Sequence, residues 1–126
     1  MNEHVALSPE EMVRALARYA SDRKALEIVQ LDLRGMIAYT DFFLVCSGRS
    51  GRQVKAIHDA IHQGMKSQHS LLPERVEGLA QARWVLMDYL DVVVHVFTPE
   101  ARAYYRLEQL WGEAPMRELE EPVPAG

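Results

Sequence analysis

The sequence has a single cysteine, Cys46, among its 126 residues. No intrachain disulfide can form, which fits a reducing compartment and makes a cytoplasmic location the expectation. A basic excess is also missing: 14 Lys and Arg stand against 18 Asp and Glu, a net charge of −4. Free-standing nucleic-acid binders neutralise phosphates with Lys and Arg, so direct sequence-specific nucleic-acid binding is not expected. A basic protein surface is the better electrostatic match. No apolar run approaches the ~18 residues a membrane span needs. Glu3, Glu10 and Glu11 lie within the first stretch of the chain, which argues against a signal or transit peptide. No internal repeat is evident. What remains is a chain with 48% apolar residues, long enough for one domain with an ordinary core and no need of metal or disulfide.

Ser8-Pro9-Glu10-Glu11 reads as a helix start: Ser8 at the N-cap, Pro9 at N1, and Glu11 at N3 completing a capping box, with Leu7 and Met12 as a hydrophobic staple. Met12, Leu16 and Tyr19 then recur at helical spacing. Leu26 to Leu33 alternates Val29, Leu31 and Leu33 against Ile28, Gln30 and Asp32, a strand pattern closed by Gly35. Asp41 to Ser47 is almost continuously apolar, as an inner strand covered on both faces would be. After the turn Ser47-Gly48-Arg49-Ser50-Gly51-Arg52, Ser50 and Gln53 form a second capping box. Val54, Ile57, Ile61 and Met65 mark one face of a helix ending near Lys66. A short extended stretch is expected around Arg75–Glu77, closed by Gly78. Trp84–Asp88 and Val92–Phe97 read as a hairpin. Thr98-Pro99-Glu100 begins a last helix with Leu107, Leu110 and Trp111 on its apolar stripe. The expected fold is therefore α/β (α+β): one domain over 1–112, a mixed sheet of about five strands with helices packed on it. The acidic, proline-containing tail 113–126 is expected to be disordered.

Several constellations invite a chemical reading. The Gly-Arg-Ser-Gly turn before a helix could attract an anion, but its spacing is neither GxGxxG nor that of a P-loop, and a plain strand-to-helix turn is preferred. Nucleotidyl transfer would need paired carboxylates on one strand face near that turn, and none is present. His58 and His62 are half a zinc site without further ligands nearby, so solvent-facing histidines are the better reading. Cys46, inside an apolar strand, reads as inert core, and His95 as a structural histidine needing a partner if buried. No catalytic residue, cofactor or metal is therefore assigned.

Trp84, Asp88, Tyr89, Asp91, Tyr105 and Glu108 remain as a set around the hairpin and last helix. Strand parity places Trp84, Leu86 and Asp88 on one face and Val85, Met87 and Tyr89 on the other; Tyr105 and Glu108 share a helix face. Pattern alone favours core packing for Trp84 and divides Tyr105 between core and surface. Trp and Tyr are also the residues most enriched in binding hot spots.

Two runs carry a family likeness. Tyr39-Thr40-Asp41-Phe42-Phe43-Leu44-Val45-Cys46-Ser47-Gly48-Arg49-Ser50, followed by Arg52-Gln53-Val54, resembles the first signature of the ribosomal silencing factors, the iojap family. Trp84 through Phe97, leading into Arg102 and Tyr105-Arg106-Leu107-Glu108-Gln109-Leu110-Trp111, resembles the second. The likeness spans roughly residues 8–111. It implies a nucleotidyltransferase-like fold without the catalytic carboxylates. It also implies docking on the large ribosomal subunit through its fourteenth protein, so that the small subunit cannot join and translation falls under nutrient limitation. The partner-binding residues it implies are Trp84, Asp88, Tyr89 and Tyr105, with Asp91 and Glu108 beside them; for Trp84 it reverses the preference for core. Many relatives have glycine where Leu90 stands, which opens a change of hairpin turn type. A role in large-subunit assembly, an enzyme using a nucleotide at the glycine turn, and a weak homodimer through an aromatic patch or edge strand are the competing readings.

Overall fold

The structure, a computed structural model, describes residues 6–119. Helix α1 spans Pro9–Asp22, strand β1 Leu26–Asp32, β2 Phe42–Ser47, helix α2 Gly51–His69, β3 Arg75–Glu77, β4 Trp84–Asp88 and β5 Val92–Phe97. Helix α3 (Pro99–Tyr105), a single helical turn α4 (Leu107–Leu110) and strand β6 (Met116–Glu118) follow. The strands form one mixed sheet in the order β3-β4-β5-β2-β1-β6. Among the described residues only β2 and β5 pair in parallel, Phe42 opposite Val92 through Ser47 opposite Phe97; the other neighbours are antiparallel. The single α+β domain is as expected, with six strands rather than five.

Helix α1 starts where its capping box does. Ser8 Oγ accepts from Glu11 N–H at 3.1 Å while Ser8 N–H donates to Glu11 Oε1 at 2.9 Å. At α2 the expected box is half made. Ser50 Oγ accepts from Gln53 N–H, but the Gln53 carbonyl turns to Arg49 N–H and its amide donates to the carbonyls of Arg23 and Lys24, tying the end of α1 to the start of α2. The helix runs to His69, one turn beyond the expected Lys66, and Ser70 in the left-handed conformation caps it. Gly64 sits mid-helix because α1 crosses there: a Cβ would stand 2.6 Å from the Tyr19 ring.

Both centre strands are buried along their whole length, which explains their uninterrupted apolar sequences. One face of the sheet carries Phe42, Leu44, Cys46, Val85, Met87, Val94 and Val96 under Met12, Leu16, Ile57 and Ile61 of α1 and α2. The other carries Val29, Leu31, Phe43, Val45, Val93 and Phe97 under Ala101, Leu107 and Ala114. Each fully buried large apolar side chain contributes about 1.5–3 kcal/mol. Among the described residues no helix is long and apolar enough to cross a membrane.

Two sequence expectations are corrected here. The tail expected to be disordered from 113 contains β6, whose backbone pairs with β1 through Val29–Glu118, Gln30–Arg117 and Leu31–Met116; residues 120–126 lie outside the described residues. The last helix is not continuous. Arg106, at φ 51°, ends α3 and redirects the chain into α4. Tyr105 and Glu108 therefore do not stand one helical turn apart on a common face.

The β4–β5 hairpin turns through Leu90 at φ 72°, and Asp88 Oδ1 accepts from Leu90 N–H at 2.8 Å. A left-handed backbone conformation that suits glycine is thus occupied by a leucine. A non-glycine residue there costs about 1–2 kcal/mol. Leu90 is also 55% exposed, so little packing is lost on replacement. Leu90→Gly is expected to stabilise the fold by up to about 1 kcal/mol in chemical denaturation.

Candidate functional site

The sheet face opposite α1 and α2 is only partly covered toward the β3–β4 edge, and an aromatic assembly occupies it. Trp84 opens β4 and pairs with Phe97 of β5, while Leu86 pairs with His95. The Trp84 ring stacks on Phe97 with centroids 5.0 Å apart and meets Tyr105 at 4.6 Å. Tyr104 stands edge-on to Tyr105 at 5.0 Å. Behind them the Phe43 ring makes edge contacts with His95 at 4.5 Å and Trp111 at 6.1 Å.

His95 is 3% exposed, and the Trp84 indole N–H donates to its Nδ1 at 3.0 Å. An indole N–H can only donate, so Nδ1 is the acceptor and the neutral ring carries its proton on Nε2. Nε2 is buried and has no hydrogen-bond partner among the described residues. Burial pushes the His95 pKa down to about 3. The expected partner of the structural histidine is thus Trp84 itself, on the neighbouring strand.

A polar clamp stands beside this cluster. Arg102 of α3 donates from Nη1 to Ser47 Oγ at 2.9 Å, and from Nε and Nη2 to the two Glu108 carboxylate oxygens at 3.3 and 2.9 Å. The Arg102 side chain is 11% exposed and that of Glu108 27%.

The six candidate residues are not one patch. Trp84 and Tyr105 come together, Trp84 partly buried and Tyr105 46% exposed. Glu108 lies on the adjoining turn but is engaged by Arg102. Asp88 shares the Trp84 face of β4 about 13 Å farther along, at ~3.3 Å per residue. Its carboxylate serves the hairpin turn and faces Arg75 Nε at 3.6 Å. Asp91 is exposed in the turn. Tyr89 is corrected outright as a surface residue. It is 5% exposed, on the helix-covered side with Val85 and Met87, its hydroxyl is buried without a partner among the described residues, and burial raises its pKa. Tyr104 and Leu110, 76% and 75% exposed, and Arg102 were not among the candidates. The Tyr104-Tyr105 doublet was the available signal.

Elsewhere, His58 is not solvent-facing: it is 7% exposed, with Nδ1 2.9 Å from Asp59 Oδ1. Cys46 is fully buried, and burial pushes its thiol up to about 12. Among the described residues no group of three or more His, Cys, Asp or Glu is arranged to hold a metal ion. At the glycine turn, Gly48 is needed because a Cβ there would lie 2.9 Å from Val54 N, a packing reason rather than a ligand one.

The family model described as "Ribosomal silencing factor during starvation" matches residues 6–125. The chain belongs to the ribosomal silencing factor family. Ribosomal silencing factor RsfS of Halalkalibacterium halodurans is 45% identical over 114 residues, covering 90% of this chain and 97% of that protein. The RsfS of Bacillus subtilis is 39% identical, covering 90% and 96%. A crystal structure of a Chromobacterium violaceum protein superposes with a TM-score of 0.81 at 30% identity, covering 95% of each chain. The silencing-factor match runs past residue 112 and takes in β6, in keeping with a domain that does not stop at the last helix. Both signatures of the silencing factors thus meet in space: β2 ends at Ser47, which the clamp joins to α3 and α4, and β4 supplies Trp84.

Proposed function

We propose that this chain docks on the large ribosomal subunit through its fourteenth protein, using the Trp84–Tyr105 surface, and excludes the small subunit by occupying its contact area. The supporting observation is the aromatic pair itself. Two rings in contact, one anchored on the sheet and one 46% exposed, adjoin Tyr104 and the turn that bears Leu110. Aromatic residues in such half-covered positions are the usual anchors of a binding hot spot, and large exposed apolar groups in a cluster signify a partner. Net charge −4 favours a basic partner surface.

Inhibition on this reading is steric and needs no chemistry: bound protein and small subunit cannot share one surface. Translation is then repressed in proportion to occupancy. Sedimentation checks it. Purified protein added to a mixture of subunits is expected to travel with the large subunit and reduce the joined-ribosome peak. Protein remaining at the top of the gradient at physiological salt, with joining unaffected, would rule the reading out.

A further inference from the structure

We propose that Arg102 is a positioning residue that sets the contact between Trp84 and Tyr105. This rests on the docking reading for its purpose but not for its geometry. Tyr105 is the last residue of α3, and the chain reverses immediately after it at Arg106 in the left-handed conformation. Such a residue is about 1–2 kcal/mol unfavourable without glycine, so the reversal needs support from elsewhere. Arg102 lies before the reversal and Glu108 after it. Their two-point contact spans it, while the third Arg102 bond reaches Ser47 at the end of β2. One side chain therefore joins the sheet, α3 and α4 across residues 103–107, and Tyr105, the last residue of α3 before the reversal, lies in that bridged segment, 4.6 Å from Trp84.

The chemistry favours arginine for this task. A planar fork presents fixed parallel donors to a carboxylate, and with Arg102 11% and Glu108 27% exposed the pair is better shielded than a fully exposed ion pair. Lysine could keep the charge but not the two-point geometry. A pre-set aromatic pair loses less side-chain freedom on docking, and that difference appears as affinity.

The test separates geometry from docking. Indole N–H resonances of Trp84 and Trp111 are recorded in free protein and assigned with Trp84→Phe. In Arg102→Gln and in the milder Glu108→Gln, the Trp84 resonance is expected to shift or broaden, with Arg102→Lys restoring it only in part. Affinity for purified large subunits is expected to fall about tenfold in Arg102→Gln. In a Tyr105→Ala background the same change is expected to cost less than twofold, because the ring being positioned is gone. An unmoved Trp84 resonance in both clamp variants, or an equal loss of affinity with and without Tyr105, would overturn the assignment. If Trp84→Ala and Tyr105→Ala bind as tightly as the parent, the docking reading fails instead, and the resonance still decides the clamp.

Discussion

Trp84→Ala is expected to weaken binding to the large ribosomal subunit by about 2 kcal/mol or more, roughly thirtyfold in Kd. The residue combines three roles. Its ring is a platform for Tyr105, its opposite contact is the buried Phe97, and its indole N–H satisfies His95. Truncation would remove the platform and leave the His95 Nδ1 lone pair buried without a donor, which costs about 1–3 kcal/mol of stability by itself. Trp84→Ala should accordingly lose both stability and affinity. Tyr105→Ala serves as the comparison: at 46% exposure it should leave the denaturation midpoint nearly unchanged while still weakening binding at least tenfold. Isothermal titration against purified large subunits, paired with urea denaturation of each variant, reads both quantities. Equal affinity of Tyr105→Ala and the parent would remove Tyr105 from the surface.

Stability should also fall as pH drops through the range where free histidine titrates. His95 is held neutral in the fold, with its pKa pushed down to about 3 by burial. In the unfolded chain it takes up a proton near its ordinary value, about 6.5. Between these values the unfolded state binds more protons, so the stability contribution is complete above pH ~6.5 and is lost progressively as pH falls toward ~3. From pH 6.5 to 5 the loss is on the order of 2 kcal/mol. Glu11, held low by its bonds to Ser8, and Asp32, held low by Arg34, act in the same direction. Their effect falls below the ordinary carboxylate range, so the window from pH 6.5 to 5 isolates histidine. Denaturation midpoints of the parent and His95→Gln, compared across that window, should show a steep dependence in the first and a shallower one in the second. Parallel curves would mean that His95 is not the group responsible.

Much of this fold was legible because its local signals agree with its packing. Ser8, Glu11 and Pro9 mark the start of α1, and the apolar runs of β2 and β5 announce strands covered on both faces. The likeness of Tyr39–Val54 and Trp84–Trp111 to one family supplied what periodicity could not: a reason to propose Trp84 for a docking surface. Three features escaped for physical reasons. Strand β6 is exposed at all three residues and is held by backbone bonds, so burial imposes no alternation on its side chains. Arg106 adopts a glycine-like conformation without being glycine, so nothing in the composition breaks the helix there. Tyr89 was grouped with Trp84 as an aromatic near the hairpin and given a binding role by family likeness, although strand parity had already set them on opposite faces; the parity is what the burial follows.

The candidate site was legible as two residues and obscured as six. Trp84 and Tyr105 meet, whereas the acids were harder to place because a carboxylate in sequence does not show whether it is free or engaged. Asp88 serves a turn and Glu108 a clamp. The bonds from Leu90 to Asp88 and from Arg102 to Glu108 set these uses, and Arg102 is itself held by Ser47 from 55 residues away.

The most direct measurement is the affinity of the purified fourteenth large-subunit protein for the full chain, for Tyr105→Ala and for Trp84→Ala. A stable complex with the parent, weakened at least tenfold by Tyr105→Ala although that variant folds normally, is the predicted result. No complex with the parent, or one of undiminished affinity in both variants, would contradict docking through the aromatic pair.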